Sequence, residues 1–172
     1  MLCSNHASFL DGFVVFSSLP FHNIEDVFFL GYSDILGHPL ARWELKEARL
    51  ISIDSNVNLT EAMQAASLVF SRGKVVCLFP EGRRSIDENI GEFKKGMGIL
   101  IKELDIPVVS IYIKGSHRSW PRASRLPRFC PLKVIFGRPL AAKDLLGKKE
   151  PGQDDYEAIA NNLREEVLKL AC

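Results

Sequence analysis

The sequence predicts one α/β domain, in which a largely parallel mixed sheet is flanked by helices. Apolar runs typical of strands alternate with helical patterns through most of the chain, and this order favours parallel strands joined by right-handed crossovers. The run at 75–79 is continuously apolar, as expected for a strand covered on both faces. A length of 172 residues suffices for one domain with a sizeable core, but not for two comfortable ones.

Five apolar runs, bounded by glycine, proline or polar residues, are predicted to form strands. They lie at 27–30, 50–54, 74–79, 107–113 and 132–136. We expect the last of them to end at Gly137-Arg138-Pro139.

Helices are predicted at 9–19, 33–43, 60–72, 93–104 and 156–170. Ser8 is a candidate N-cap for the first helix, and Gly73 ends the third. Gly96 and Gly98 in the fourth helix indicate close packing or a close approach to a ligand. The fifth helix is amphipathic, with an apolar stripe formed by Ile159, Leu163, Val167 and Leu170. We assign 1–146 to the main domain, and 147–172 to a link and an amphipathic helix that packs on it.

The composition argues against several classes of protein. The net charge of +1 gives no overall electrostatic case for nucleic acid as a partner. None of the four cysteines (Cys3, Cys77, Cys130 and Cys172) forms a CxxC pair, so we expect no metal site and a reduced, cytosolic setting. No run reaches the ~20 apolar residues of a membrane span, and the start is not a signal peptide. Work on lipid would therefore take place at a membrane surface.

The first chemical motif is Asn5-His6-Ala7-Ser8-Phe9-Leu10-Asp11. A helix turns by about 100° per residue, so His6 and Asp11 would not share a face within one regular helix. They can meet if His6 lies in the turn before a helix and Asp11 lies in its first turn. The carboxylate would then accept a proton from one imidazole nitrogen and leave the other as a general base. Alternatively, Ser8 and Asp11 form a capping box and His6 is an ordinary loop histidine.

The second motif is Phe79-Pro80-Glu81-Gly82-Arg83-Arg84-Ser85. Gly82 permits a sharp turn and a close approach of the backbone to a ligand. Arg83, Arg84 and Ser85 are good donors to phosphate. Glu81 could bind a substrate hydroxyl or orient an arginine, although a solvated surface turn is an alternative for the whole stretch. Because this motif follows a predicted strand, it and the His6 turn could meet at the carboxyl ends of the sheet.

Together the two motifs resemble the HxxxxD and FPEGxRS motifs of the glycerolipid acyltransferase family, the 1-acylglycerol-3-phosphate acyltransferases and their relatives. The separation of about 75 residues is also typical of the family. Residues 106–109 resemble a further family block, a strand opened by proline. Ser55 departs from the pattern, because it stands where members carry arginine. The resemblance extends from His6 to about Pro139 and implies a glycerol-phosphate acyltransferase-like fold.

The resemblance implies a one-step reaction without an acyl-enzyme. His6, oriented by Asp11, would deprotonate a hydroxyl of a lysophospholipid or acylglycerol phosphate. The oxygen would attack the thioester of acyl-CoA or acyl-carrier protein, which is a substrate, and no bound cofactor is expected. By the same analogy Arg84 binds the acceptor phosphate, Glu81 and Gly82 shape its site, and Ser85 completes it. Arg83 stands where many members have threonine.

Only four residues precede Asn5, so most of the N-terminal region usual in the family is missing. This indicates a piece of a longer polypeptide or a shortened relative. A turn that carries a reacting group is normally anchored by a preceding strand. We therefore expect His6 to be held less firmly than the Glu81 loop.

The segment 117–129 combines arginines with aromatic and aliphatic residues. We predict that it contacts an anionic membrane surface or the acyl donor through Arg118, Trp120, Arg122, Arg125 and Arg128. A solvated loop is the alternative. With the resemblance, this places the protein at the cytoplasmic face of a membrane as a peripheral protein.

Two other functions remain open from the sequence. A hydrolase could use the same histidine and aspartate with water, but no GxSxG motif is present. A non-catalytic lipid- or phosphate-binding remnant of a larger acyltransferase or acyl-activating fusion protein is the second alternative.

Overall fold

The computed structural model describes residues 1–32, 50–53, 59–122, 124, 126–147 and 149–172. The predicted helix at 33–43 lies outside the described residues. The same holds for the position of Ser55, where the sequence departs from the family pattern, and for Arg125.

The centre of the fold is a six-stranded sheet. Its strands are β1 (Leu2–Ser4), β2 (Val27–Tyr32), β3 (Leu50–Ile53), β4 (Val75–Leu78), β5 (Val108–Lys114) and β6 (Lys133–Leu140). Their order in space is β3-β2-β4-β1-β5-β6. All neighbouring pairs are parallel except β5 and β6. The prediction of an α/β domain with a largely parallel mixed sheet is confirmed.

Strand β1 was not among the predicted strands, yet it lies between β4 and β5 and pairs with both. The ammonium group of Met1 donates to the Pro107 carbonyl oxygen at 2.8 Å, and the Val109 amide donates to the Met1 carbonyl oxygen at 2.9 Å. Three residues therefore suffice to fix the chain that leads into the His6 turn. The expectation that His6 is weakly anchored is wrong.

The helices are α1 (Asp11–Ser18), α2 (Leu59–Ser71), α3 (Lys95–Leu104), α4 (Ser116–Ser119), α5 (Ala142–Leu146) and α6 (Asp155–Lys169), with a 3₁₀ segment at Phe21–Asp26. Helix α1 begins later than predicted, with Leu10 as its N-cap and no side-chain capping bond. The Ser8 hydroxyl instead accepts a bond from the Leu10 amide at 3.1 Å. The prediction of Ser8 as N-cap is wrong, because the turn before the helix uses that hydroxyl.

Two apolar clusters lie on the two faces of the sheet. Side chains from α2, α3, α5 and α6 pack on one face, and Val15 of α1 belongs to the cluster on the other. At Gly98 an added Cβ would lie only 1.9 Å from the Tyr156 carbonyl oxygen, so α3 and α6 are packed as closely as glycine allows. Along α6, Ile159, Leu163 and Val167 are fully buried against this core.

Strand β6 continues through Gly137-Arg138-Pro139 to Leu140, so the predicted end at these residues is wrong. β6 is an edge strand, where a proline without an N–H is tolerated. Its register against β5 shifts between Val109 and Ile111, which accommodates the irregular pairing near Pro139. Of the helices in the described part of the chain, none is long and apolar enough to cross a membrane.

Candidate active site

The two motifs meet at the carboxyl ends of adjacent parallel strands. The turn after β1 carries His6, and the loop after β4 carries residues 79–94. Since β1 and β4 pair directly, the two segments emerge side by side. The Ser85 amide donates to the His6 carbonyl oxygen at 2.7 Å, which ties the turn to the loop.

His6 and Asp11 form the hydrogen-bonded pair predicted from their spacing. Nδ1 of His6 lies 2.9 Å from Oδ2 of Asp11, and the Asp11 side chain has no solvent exposure. The same oxygen accepts bonds from the amides of Ala7 at 2.6 Å and Ser8 at 2.7 Å. Asp11 thus closes the turn like one half of a capping box and holds the imidazole at the same time.

The orientation of the His6 ring is defined on two sides. An ionised carboxylate only accepts hydrogen bonds, so Nδ1 carries the proton and Nε2 is left as the acceptor. The ring stacks on Phe79, with centroids 4.1 Å apart and an interplanar angle of 17°. The side chain is 16% exposed. The role of Phe79 was not predicted, although the residue opens the second motif.

Glu81 joins the two segments. It is 5% exposed, and its Oε1 accepts a bond from the His6 amide at 2.8 Å. Its Oε2 accepts bonds from the Ser85 hydroxyl at 2.7 Å and the Gly91 amide at 2.9 Å. These contacts give Glu81 and Ser85 a positioning role towards the His6 turn. The sequence predicted that Glu81 binds a substrate hydroxyl, orients an arginine or shapes the phosphate site, but it did not predict the bonds to His6 and Gly91.

Arg84 carries a positive charge close to the His6–Asp11 pair. Its guanidinium carbon lies 3.4 Å from the centroid of the Phe9 ring, and Nη1 is buried without a partner among the described residues. Burial lowers the pKa of the Arg84 guanidinium, Arg122 lowers it further, and the charge of Asp11 acts in the opposite direction. This half-buried cation therefore suits an anionic ligand.

Gly82 and Arg83, which lie between Glu81 and Arg84, are solvent-exposed. Gly82 has a φ of +71°, a conformation that other residues rarely adopt, so the turn at this position requires glycine. Arg83 is exposed, so its charge is solvated, whereas Arg84 is half-buried. The two arginines are therefore not equivalent, although the sequence places them side by side.

Helix α4 and the segment that follows it lie against the site. Trp120 packs on Phe9 with ring centroids 5.3 Å apart, and its indole N–H donates to the Ser124 carbonyl oxygen at 3.0 Å. Nε of Arg118 lies 2.9 Å from a carboxylate oxygen of Glu88. Trp120 is thus largely a packing residue, and Arg118 already has an acidic partner.

Further along this segment the surface is both apolar and basic. Phe129 is fully exposed and Leu126 is 75% exposed, and both flank the exposed Arg128. Arg122 is also exposed and lies close enough to affect Arg84. No cluster of three or more histidine, cysteine, aspartate or glutamate side chains with metal-binding geometry occurs in the part of the chain that the structure describes.

Similar proteins are known both by sequence and by structure. The chain is 27% identical over 164 residues to the 1-acyl-sn-glycerol-3-phosphate acyltransferase of Limnanthes alba, and 28% identical to that of Limnanthes douglasii. Each alignment covers 93% of this chain and 56% of the relative, so the chain spans about half the length of these curated relatives.

The fold is similar to the crystal structure of the 1-acyl-sn-glycerophosphate (LPA) acyltransferase PlsC from Thermotoga maritima. The TM-score is 0.70 at 17% sequence identity, over 99% of this chain and 66% of that one. A family model described as Acyltransferase matches residues 1–114, which is well over half of the chain. The chain therefore belongs to the Acyltransferase family, as its resemblance to glycerolipid acyltransferases predicted.

Proposed function

We propose that this domain transfers a fatty acyl group from a thioester donor to a hydroxyl of an acylglycerol phosphate or lysophospholipid. The observation that carries the proposal is the His6–Asp11 pair at 2.9 Å, beside the half-buried Arg84 cation. A general base and a phosphate-binding cation side by side suit an acceptor with a hydroxyl close to a phosphate. The curated relatives bear the name of this activity.

His6 acts through Nε2, because Nδ1 is bound to Asp11. Nε2 takes the proton of the acceptor hydroxyl as its oxygen attacks the thioester carbonyl carbon. The new C–O bond forms, the C–S bond breaks, and the imidazolium returns the proton to the leaving thiolate. Asp11 stabilises the imidazolium that exists between these steps.

The donor is a thioester of coenzyme A or acyl-carrier protein and is consumed as a substrate. The chemistry needs no bound cofactor, because base, nucleophile and leaving group all belong to the chain or its substrates. Positively charged groups in this region also favour the anionic acceptor over an uncharged glyceride.

Arg84→Ala is expected to lower kcat/KM for the acceptor by about 10–100-fold, because charge-assisted hydrogen bonds to the phosphate are lost. The matched control is Arg83→Ala, which removes the same charge from the exposed neighbour and is expected to change kcat/KM by only a few-fold. The measurement is the steady-state rate of labelled acyl transfer at varied acceptor concentration. Equal effects of the two substitutions would contradict the role of Arg84.

The same assay separates the three candidate functions. Labelled acyl-CoA and acyl-carrier protein are offered with a panel of lysolipids and without any acceptor. Acyl transfer supports the proposal. Thioester cleavage that does not depend on an acceptor supports a hydrolase, and lipid binding without either reaction supports a non-catalytic remnant.

We also propose that the arginines and exposed apolar residues of segment 117–129 bind the surface of an anionic membrane. Replacing Arg122, Arg125 and Arg128 by alanine is expected to weaken binding to anionic vesicles by about 100-fold, since each cation contributes about 1 kcal/mol. The control replaces Arg72, Lys143 and Lys169, which are exposed cations on or beside helices α2, α5 and α6. Vesicle co-sedimentation measures both variants, and unchanged binding of the first one would refute the proposal.

A further inference from the structure

Arg164 of helix α6 binds the loop that carries Glu81. Its Nε donates to the Gly91 carbonyl oxygen at 2.8 Å, and its Nη2 donates to the Ile90 carbonyl oxygen at 2.9 Å. The planar guanidinium thus holds two consecutive carbonyl groups through two of its nitrogens, a geometry that the single ammonium group of a lysine does not reproduce. Because the donor is charged, both bonds are stronger than neutral hydrogen bonds.

The peptide unit between Ile90 and Gly91 connects Arg164 to Glu81. Its carbonyl oxygen accepts from Nη2 of Arg164, and its N–H donates to Oε2 of Glu81 at 2.9 Å. The unit is planar and trans, so its carbonyl and its N–H point in opposite directions. Arg164 and Glu81 therefore hold the two ends of one rigid group. The cation on the carbonyl side also polarises this group and strengthens its N–H as a donor.

Glu81 carries the connection on to the turn of His6. Its Oε1 accepts from the His6 amide at 2.8 Å, while its Oε2 accepts from the Gly91 amide. At Gly91 an added Cβ would lie only 2.9 Å from Oε2 of Glu81. The φ of Gly91 is not positive, so the backbone alone does not require glycine here. The missing side chain at position 91 instead leaves room for the Glu81 carboxylate.

Helix α6 is a firm base for the Arg164 side chain. Leu163 and Val167 on either side of Arg164 have no solvent exposure and belong to the core. The other polar contact of Arg164 joins Nη1 to a carboxylate oxygen of Glu165 at 3.5 Å, and that side chain is 58% exposed. Such a surface pair contributes little, so the bonds to the two carbonyl groups are the stronger contacts of Arg164.

The loop also has anchors that do not involve Arg164. Ile90 and Phe93 are buried in the core, and the Lys94 amide donates to the Pro80 carbonyl oxygen at 2.9 Å. Removal of the guanidinium should therefore free the 90–91 peptide unit without unfolding the loop.

We propose that Arg164 is a positioning residue for the candidate active site, which orients the Glu81 carboxylate and the turn of His6 by fixing the Ile90–Gly91 peptide unit. Its effect on turnover rests on the proposed acyl transfer, whereas the structural link does not. Both sequence motifs lie within residues 1–114, which match the family model, and Arg164 lies beyond them. Helix α6 thus adds a contact to the site from outside the matched region.

The first test measures amide hydrogen exchange by NMR and needs no reaction. Arg164→Ala is expected to speed up exchange of the Gly91 and His6 amides by about tenfold, because their hydrogen bonds to Glu81 are weakened. The Val109 amide, which binds the Met1 carbonyl oxygen in the sheet, should be unaffected. The control Glu165→Ala removes only the exposed partner of Arg164 and should leave all three amides unchanged. Unchanged exchange at Gly91 and His6 in Arg164→Ala, or equal acceleration of all three amides, would overturn the proposal.

The second test measures steady-state acyl transfer. A misplacement of about 1 Å can cost about 100-fold in rate, and Asp11 still holds the imidazole, so Arg164→Ala is expected to lower kcat by about tenfold with little change in either KM. Arg164→Lys should recover part of kcat, since its ammonium group can bind one of the two carbonyl oxygens. Gly91→Ala displaces Glu81 from the other side and should also lower kcat, so it serves if Arg164→Ala unfolds the domain.

The double substitution Arg164→Ala with Gly91→Ala should cost less than the product of the two single losses, because both act on Glu81. An unchanged kcat in Arg164→Ala, despite faster exchange of the His6 amide, would refute the positioning role. If the unsubstituted protein transfers no acyl group, the proposed function fails, and amide exchange alone decides whether Arg164 holds Glu81 in place.

Discussion

Replacing His6 by alanine is expected to lower kcat for acyl transfer by about 10²–10⁴-fold, the usual contribution of a positioned general base. The substitution removes Nε2, the acceptor that remains once Nδ1 is bound to Asp11. The turn itself should persist, because it is held through the His6 backbone by Glu81 and Ser85. KM for both substrates should change little, since the imidazole acts on the reacting hydroxyl.

The measurement combines steady-state acyl transfer with circular dichroism, which reports whether the domain stays folded. His22→Ala is a suitable control, because it replaces a histidine in the 3₁₀ segment that precedes β2, away from the carboxyl ends of the strands. If His6→Ala retained most of the activity while folded, a water molecule or another group would have to act as the base. That result would leave the His6–Asp11 pair with a structural role alone.

The geometry of His6 and Asp11 could be predicted from sequence because it depends on local spacing. Five positions cannot bring two side chains together within a regular helix, so the pair required a turn followed by the start of a helix. The structure has this arrangement, with Asp11 as the first residue of α1. The exact start of α1 was not predictable, because it depends on Asp11 turning back to the amides of Ala7 and Ser8.

Contacts between residues that are far apart along the chain could not be predicted from the sequence. Strand β1 has three residues, too few for an alternating pattern, and it is defined by pairing with β4 and β5. Glu81 binds groups at positions 6, 85 and 91, and only the fold brings these together. The sequence motif indicates that Glu81 is important. A carboxylate can accept hydrogen bonds from a ligand or from the protein, so the residue type alone could not distinguish a ligand contact from a positioning role.

The different surroundings of Arg83 and Arg84 in the second motif could not be predicted from the sequence either. Both are good phosphate donors, so sequence chemistry could not rank them. The ring of Phe9 beneath Arg84 and the exposure of Arg83 create the difference. Phe9 is 75 positions from Arg84, so this contact exists only because β1 and β4 are adjacent.

Asp11→Asn is expected to lower kcat by about 10²–10⁴-fold without unfolding the domain. An asparagine can place its carbonyl oxygen where Oδ2 accepts three hydrogen bonds. Its amide group then occupies the position of Oδ1, which has no partner among the described residues. The turn is preserved, but the negative charge that stabilises the His6 imidazolium is lost.

A double substitution tests whether Asp11 acts through His6. If it does, His6→Ala with Asp11→Asn should be no slower than His6→Ala alone, because groups that work as a unit are not additive. Independent, multiplying losses of kcat would contradict this coupling.

Asp11→Ala tests the hydrogen bonds of Asp11 rather than its charge. The substitution leaves the buried amides of Ala7 and Ser8 unpaired, and it should lower the free energy of unfolding by about 1–3 kcal/mol for each lost partner, measured by urea unfolding. The charge and the hydrogen bonds of Asp11 are thereby separated, the first affecting turnover and the second the stability of the turn.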